Sequence, residues 1–562
     1  MPAKVSRAPD LARAFRSYLG AVLILFALGS GSVAFAQGGS AYFLPNNLLL
    51  SRVVYDNNPK NVVVGMSLPP ECVPANCVLA TTNGSYPQVF NNALFDSSFG
   101  ITAKIILDEL TTSGTSINSL EVPNSSQNGV PPTKDQTVTS FSSKSELALN
   151  LSTDGQSITF MGYLAPINAL DVSNANTPGV VDPTNPVPGE NSRVVAQVNA
   201  KGQFRFTKTN AYSGNNGRAA ILNVADGVLY AAGNAGNGGN PQPDGIILGA
   251  GAQFLIPEVK ALVAQDPGLP TPVGSFNVAQ LGDKVDKIGK DTNFRGPTIF
   301  NNVVYYTKGS GSNGVNTVYF VDTTGSDSKG NPMACPKGTG LPAASVSLPA
   351  APIQYDPSVL QTKGVFPYNM CILNGFPTVL ANSKPPLVPM FPFGVWFANA
   401  DTLYVADEGN GTNTFDPVTM TYMAAAAQTT AGLQKWVFND GNWSLAYTLS
   451  AGLNLGQPYK VSGYPTGNNS ATGLPWSPAT DGLRNIIGRN NGDGTATIWA
   501  ITSTVSGSGD QGADPNKLVV ITDTIATTTL PATETFSAVR PAGFGEVLRG
   551  VSFTPGTSVT GR

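Results

Sequence analysis

Short apolar segments recur along almost the whole chain, and Gly, Asn, Asp or Pro separates each from the next. Examples are 228–232 (Val-Leu-Tyr-Ala-Ala), 303–306 (Val-Val-Tyr-Tyr) and 402–406 (Thr-Leu-Tyr-Val-Ala). Runs of this length, rich in β-branched and aromatic residues and bounded by turn residues, predict β-strands. Helical periodicity is nearly absent after the first residues of the chain. The pattern therefore predicts an all-β fold.

The strands form a repeating unit that starts with an Arg or an acidic residue in several copies. Tight turns such as Asp154-Gly155, Asp226-Gly227 and Asp493-Gly494 join first to second strands, because these residues tolerate positive φ. The predicted first strands are 146–151, 218–222, 295–300, 392–397, 484–487 and 549–553. The second strands are 157–160, 228–232, 303–306, 402–406 and 496–500, and third strands follow at 193–198, 317–322, 433–438 and 518–523. Fourth strands are weaker, and 443–447 is the clearest.

The last unit has only its first strand, 549–553, before the sequence ends. Segments 48–55, 104–109 and 117–122 near the N-terminus fit its second, third and fourth strands. Sharing one sheet between both ends closes a ring without open edges. The sequence predicts a β-propeller of six four-stranded blades, or seven if residues 324–390 contain another. A pair of β-sandwiches is the alternative.

The amino-acid composition limits the kinds of ligand and of catalytic chemistry that this chain can support. Charged residues make up 12% of the chain, and the formal net charge is −3, so no basic field attracts nucleic acid. The chain contains no histidine, which excludes Ser-His-Asp and Cys-His catalysis and His-ligated metals. Chemistry based on carboxylates, Tyr, Arg or Lys remains open, and so does an oxygen-liganded metal such as Ca²⁺.

Residues 1–36 have the pattern of a signal peptide. Basic residues precede an apolar run at 19–28, and Ala34-Phe35-Ala36 is a small-x-small cleavage site. We therefore expect a secreted or periplasmic protein whose single domain spans 37–562. An uncleaved anchor is the alternative, but no later segment is long and apolar enough for a transmembrane helix.

The four cysteines are consistent with export. Four cysteines allow three pairings, and proximity favours Cys72 with Cys77 and Cys335 with Cys371. The second bond would staple the long segment near 324–390. A shared metal site is disfavoured because the two pairs are far apart in sequence.

The segment Leu-Tyr-Val-Ala-Asp at 403–407, preceded by Pro-Phe-Gly at 392–394, resembles the repeat of bacterial YVTN and NHL propellers and, more loosely, SMP-30-type lactonases. This resemblance implies the propeller fold of exported bacterial proteins. It does not define an activity, because propellers carry many unrelated functions.

Four arginines occupy equivalent places in the repeat: Arg218, Arg295, Arg484 and Arg549. The first strand of a blade lines the channel, so their guanidiniums would meet near one opening, where they suit a carboxylate or phosphate. The alternative is that each Arg ties neighbouring blades together. Sialidases also place arginines at a propeller centre, but their S-x-D-x-G-x-x-W box is completed neither at 152–155 nor at 493–499.

Acidic residues supply the candidates for catalysis and metal binding. SMP-30-type lactonases bind a divalent metal through Glu, Asn and Asp, and that resemblance points here to Glu146, Asp108 and Glu109, with Asp407 and Glu408. Two Asp/Asn/Gly-rich loops are typical of Ca²⁺ ligands; their candidate ligands are Asp407, Asp416, Asp510 and Asp514. The alternative is that all of these are turn or surface acids.

The sequence thus predicts an exported, monomeric propeller that binds a small anionic ligand, or a protein or glycan partner, at its channel face without catalysis. The alternative function is a His-independent hydrolase, lactonase or lyase that uses channel-mouth carboxylates with or without Ca²⁺.

Overall fold

The structure of the chain is a computed structural model. It describes residues 41–56, 58–68, 72, 77–83, 101–122, 137–140, 147–170, 191–209, 211–212, 215–234, 251–258, 271, 273–278, 280–281, 284–285, 293–310, 314–322, 369–381, 390–508 and 511–558. The chain divides into a unit of residues 1–42, of which only the last two are described, and a unit of residues 43–562. The predicted signal peptide, Glu146, Cys335 and Asp510 lie outside the described residues.

Strands dominate the described residues. From the N-terminus they are β1 (Leu48–Val54), β2 (Ser67–Leu68), β3 (Val78–Leu79), β4 (Thr102–Leu110), β5 (Ser116–Glu121), β6 (Thr137–Ser140), β7 (Asn150–Leu151), β8 (Ser157–Leu164), β9 (Arg193–Asn199), β10 (Phe204–Thr209), β11 (Gly217–Asn223), β12 (Val228–Gly233), β13 (Ala252–Leu255), β14 (Val273–Ser275), β15 (Asn277–Val278), β16 (Gln280–Leu281) and β17 (Lys284–Val285). They continue with β18 (Asn293–Phe300), β19 (Val303–Ser310), β20 (Thr317–Asp322), β21 (Asn369–Ile372), β22 (Pro392–Asn399), β23 (Thr402–Asp407), β24 (Phe415–Asp416), β25 (Thr421–Tyr422), β26 (Gly432–Asn439), β27 (Asn442–Leu449), β28 (Ala479–Asn490), β29 (Thr495–Val505), β30 (Lys517–Thr524), β31 (Ser537–Pro541) and β32 (Glu546–Phe553). A short helix, α1 (Met423–Ala426), and a 3₁₀ turn, Gln511–Ala513, interrupt them.

Successive strands pair into antiparallel sheets in chain order. Three four-stranded sheets have the orders β11-β12-β13-β14, β22-β23-β26-β27 and β28-β29-β30-β31. A fourth has the order β18-β19-β20-β21, and β15 adds to β21 in parallel. The predicted first-to-second hairpins are confirmed in these sheets. Asn301 and Asn302 join β18 to β19 with φ of 50° and 57°, the conformation that a tight two-residue turn needs.

The predicted closure between the two ends of the fold is also present. The strand β32 pairs antiparallel with β1, with Leu48 opposite Phe553 and Val53 opposite Val547. Beyond β1 lie β4 and then β5, as the sequence predicts for the third and fourth strands. The strand β6 connects this group to β7-β8-β9-β10 by pairing with both β4 and β8, so one nine-stranded sheet results.

The sheets are arranged in a propeller-like ring because their first strands pack side by side. A Cβ atom at Gly296 would lie 2.9 Å from the carbonyl oxygen of Phe393, and one at Gly394 would lie 2.7 Å from that of Arg484. The same close approach occurs between Gly550 and Leu147. Only glycine lets two backbones come this near.

The fourth strands and the long segment differ most from the sequence prediction. β10, β14, β21 and β31 carry weak strand signals, and the sequence did not identify them. The strand β21 shows that part of the segment 324–390 belongs to this sheet, between β20 and β15. Residues 323–368 and 382–389 lie outside the described residues. The possibility of a seventh blade in this segment therefore stays a prediction.

Two further predictions concern the disulfides and membrane spans. Cys72 and Cys77 form a disulfide, as predicted. The pairing of Cys335 with Cys371 involves a residue outside the described part of the chain. Among the described residues, no helix is long and apolar enough to cross a membrane.

Candidate ligand site at the ring opening

The four arginines that the sequence singled out are all buried on first strands, but they do not share one site. Arg218 lies in β11, Arg295 in β18, Arg484 in β28 and Arg549 in β32. Arg295 and Arg484 line the same solvent-open recess, whereas Arg218 and Arg549 do not line it. A binding role for any of the four stays a prediction.

Arg218 and Arg549 contact neutral partners from the neighbouring strands. The Nε of Arg218 donates to Oδ1 of Asn293 at 2.9 Å. The Nη2 of Arg549 donates to the hydroxyl of Tyr55 at 2.7 Å. Because Asn293 belongs to the sheet that follows Arg218 in the ring, its bond connects two sheets. These contacts favour a structural role for both arginines.

Glu408 joins the other two arginines. It follows β23, and its Oε1 lies 2.7 Å from Nη2 of Arg295 while its Oε2 lies 3.3 Å from Nε of Arg484. The three residues come from three consecutive sheets of the ring. The guanidinium of Arg295 also lies over the ring of Phe393, at 5.8 Å from its centroid. One carboxylate thus fixes two cations at the ring opening.

The loop that carries Glu408 is held by the side chains of two aspartates. Asp407 accepts hydrogen bonds from the backbone N–H of Phe391 at 2.8 Å and of Gly409 at 3.0 Å. Asp481 accepts from the N–H of Gly411 at 2.8 Å and from the amide of Gln428 at 2.6 Å. Gly409 has a φ of 81°, and a Cβ there would lie 2.5 Å from the carboxyl carbon of Asp481, so this position requires glycine.

The recess above Glu408 has a volume of about 160 Å³. Arg295, Arg484, Glu408, Asp481 and Ser503 all line it. The hydroxyl of Ser503 donates to the carbonyl oxygen of Glu408 at 2.6 Å, which fixes the backbone behind the carboxylate. The opening therefore presents two cations, two carboxylates and polar neighbours on a rigid frame.

Asp407 is fully buried directly behind Glu408. Burial raises the pKa of Asp407 to about 8, and the nearby carboxylates of Glu408 and Asp481 add to the rise. The N–H groups of Phe391 and Gly409 act in the opposite direction. This shift favours the protonated, uncharged form of Asp407 near neutral pH.

This raised pKa gives a prediction for stability. The native state holds a proton on Asp407 up to about pH 8, whereas the unfolded chain loses it near pH 4. The native state binds more protons across that window, so its stability falls as the pH rises through it. We expect Asp407→Asn to flatten the fall by up to about 1.4 kcal/mol per pH unit, measured by urea unfolding at pH 5, 6.5 and 8.

Asp416→Asn is the control for this experiment, because hydrogen bonds from Val418 and Thr419 in its own turn lower the pKa of the half-buried Asp416 instead of raising it. This variant should keep the wild-type pH slope over the same range. Equal slopes in wild type and Asp407→Asn would contradict the assignment.

Two of the acids predicted for catalysis, Asp108 and Glu109, do not line this recess. Asp108 is on β4 and bonds Arg52, at 2.6 Å between Oδ2 and Nε, while Arg540 lies 2.9 Å from the same oxygen. Glu109 accepts from the N–H of Leu44 at 2.9 Å. Neighbouring strand residues face opposite sides of a sheet, so this pair does not converge on one substrate bond. Their catalytic role stays untested.

The residues predicted as metal ligands are also dispersed in the described part of the chain. Asp407 and Asp416 bind backbone groups as described above, and Asp514 accepts from the hydroxyl of Tyr464 at 2.6 Å. No cluster of three or more acidic, His or Cys residues suited to a metal occurs within the described residues. A Ca²⁺ site at these loops stays a prediction.

Sequence reasoning missed Asp481 and Ser503. Asp481 belongs to Thr480-Asp481-Gly482, which looks like a turn in the sequence, yet it lies within β28. The one sequence signal that could have identified Asp481 is its position three residues before an arginine on an inner strand. Ser503 has no distinguishing pattern.

Neither a family model nor a curated protein matches this chain. Among solved structures, the chain is similar to the hemagglutinin-neuraminidase ectodomain of parainfluenza virus 5, with 9% identity, a TM-score of 0.33 and coverage of 88% of this chain and 93% of that chain. It is also similar to extracellular domains 1-2 of Drosophila Semaphorin 1a, with 9% identity, a TM-score of 0.28 and coverage of 84% and 88%. Because both TM-scores are low, the propeller-like assignment rests on the strand pairing and on the packing of the first strands against one another.

Proposed function

We propose that this chain is an exported six-bladed propeller that binds a small hydroxy acid at the ring opening between Arg295 and Arg484. Six groups of four strands support the blade number: β32-β1-β4-β5, β7 to β10, β11 to β14, β18 to β21, β22-β23-β26-β27 and β28 to β31. The signal-peptide pattern of residues 1–36 supports export, as does the Cys72–Cys77 disulfide, since such bonds persist in oxidising compartments.

One observation carries the ligand assignment: two guanidiniums from different sheets meet at one carboxylate in a solvent-open recess. A planar guanidinium matches a carboxylate through paired N–H donors. The carboxylates of Glu408 and Asp481 line the same recess and would accept hydrogen bonds from ligand hydroxyls. A ligand with one carboxylate and several hydroxyls satisfies both kinds of group.

The test is titration calorimetry with malate, tartrate, citrate and gluconate, and with glycerol as the neutral reference. We expect at least one acid to bind and glycerol not to bind. Arg484→Gln should weaken that acid at least tenfold, because it removes one of the two cations. Arg218→Gln is the matched control: this arginine is also buried on a first strand but does not line the recess.

Failure of all four acids to bind would contradict the proposal, as would equal losses in the two variants. The melting temperature of each variant shows whether it is folded. Calorimetry also distinguishes binding from the alternative function, a hydrolase or lyase. When gluconolactone is added, an enzyme gives continuing heat from turnover, whereas a binding protein gives heat that returns to baseline.

A further inference from the structure

A second recess lies at the opposite end of the inner strands, where β22, β28 and β32 finish. Its volume is about 100 Å³. Trp396, Arg489 and Phe553 line it from the three strands, and Asn46 and Ser558 line it from the adjoining segments. None of these residues lines the recess at Glu408. The two recesses are therefore separate sites.

Trp396 supplies a fixed aromatic wall to this second recess. Its indole stacks on the ring of Tyr404 at 5.8 Å between centroids and 22° between planes. A Cβ at Gly488 would overlap the indole, so glycine is what lets the ring lie against β28. Trp396 remains half-buried. A rigid, partly exposed indole is a surface on which the C–H face of a sugar ring packs.

Arg489 supplies a cation next to this wall. It is exposed, and its guanidinium lies over the ring of Trp499 at 5.6 Å. The indole N–H of Trp499 donates to the carbonyl of Thr112 at 3.1 Å, which fixes the ring beneath the cation. Among the described residues, no carboxylate lines this recess, whereas Glu408 neutralises part of the charge in the first one. The charge here favours an anion.

Asn46 adds a neutral hydrogen-bonding group. It has a φ of 68°, and its backbone N–H donates to Oγ1 of Thr557 at 2.8 Å. These two features fix the backbone of Asn46, whose exposed side chain lines the recess. A side-chain amide both donates to and accepts from hydroxyl groups.

We propose that this second recess binds an acidic saccharide. The sugar ring packs on Trp396, its carboxylate pairs with Arg489, and a hydroxyl bonds the amide of Asn46. The site is independent of the hydroxy-acid site at Glu408, so different variants test the two proposals.

The test compares trigalacturonate with maltotriose, its uncharged counterpart in size, by titration calorimetry on the whole protein. We expect trigalacturonate to bind at least tenfold more tightly than maltotriose. Arg489→Gln should reduce that preference to threefold or less. Lys460→Gln removes the same charge from an exposed residue that does not line the recess, and it should leave the preference unchanged.

Two further variants make the result specific. Trp396→Phe keeps an aromatic ring but reduces its area, and it should weaken both saccharides at least threefold. Arg484→Gln, in the first recess, should leave trigalacturonate binding intact. The proposal is overturned if trigalacturonate does not bind, if it binds no better than maltotriose, or if Arg489→Gln retains the full preference.

Discussion

A chain that stops after Gly545, and so lacks β32, will not form a stable ring. The strand β32 is the innermost strand of its blade and pairs with β1 along seven residues, from Leu48 opposite Phe553 to Val54 opposite Glu546. Its other side packs against the neighbouring sheets, where the N–H of Val551 donates to Oδ1 of Asn485 at 2.6 Å. Removing it opens the ring and leaves β1 as a bare edge.

The size of the effect follows from what β32 buries. Val547, Leu548, Val551 and Phe553 are each almost fully buried. Burial of such side chains contributes about 1.5–3 kcal/mol each, so the loss is about 6–12 kcal/mol. Typical proteins are stable by only about 5–15 kcal/mol. We expect the truncated chain to be insoluble or to lack a cooperative thermal transition.

The control is a chain that stops after Ser558, which removes four residues and keeps β32 intact. It should melt within a few degrees of the full chain, as followed by circular dichroism. If the chain that stops after Gly545 melts like the control, β32 does not close the ring.

Closure was predictable from the sequence because it depends on strand pattern. The apolar alternation of 48–55, 104–109 and 117–122 and the unfinished unit at 549–553 are local features, and hydrophobic pattern alone sets which strands can complete a sheet. The turns were predictable for the same reason, since Asn301-Asn302 and Asp226-Gly227 specify tight hairpins.

The site was only half predictable. The sequence shows that the repeat places an arginine on several first strands. It does not show that Glu408 pairs with Arg295 and Arg484, because those contacts join residues that are 113 and 76 positions apart. Such pairings depend on how neighbouring sheets are rotated in the ring. The exposed strand end at Arg489 was missed for the same reason, since it belongs to no repeat position.

Ion pairs buried between sheets are a second feature that the strand pattern does not predict. Lys435 lies in the middle of β26, an otherwise mostly apolar strand, and its ammonium group is 2.8 Å from the carboxylate of Asp523 on β30 of the next sheet. Both side chains have 0% exposure. Lys435 also donates to the hydroxyl of Tyr447 at 2.9 Å and to the carbonyl of Thr524 at 2.7 Å. The pair therefore joins two sheets inside the ring.

Lys435→Met should destabilise the protein by about 3–5 kcal/mol, because it leaves the carboxyl group of Asp523 without its cationic partner in the interior. The hydroxyls of Tyr404 and Tyr447 both donate to Asp523, and burial raises the pKa of each tyrosine, so they stay protonated. Two neutral donors do not replace a positive charge. Urea unfolding at pH 7 measures the loss.

Two comparisons decide whether charge or packing causes that loss. Lys104 and Glu121 form an ion pair at 3.4 Å whose side chains are 35% and 26% exposed, so Lys104→Met should cost no more than about 1 kcal/mol. The double variant Lys435→Met/Asp523→Leu removes both buried charges and should regain more than half of the stability lost in Lys435→Met. If the double variant is less stable than Lys435→Met, the ion pair is not what Lys435 contributes, and its alkyl chain and its bond to Thr524 stabilise the two sheets instead.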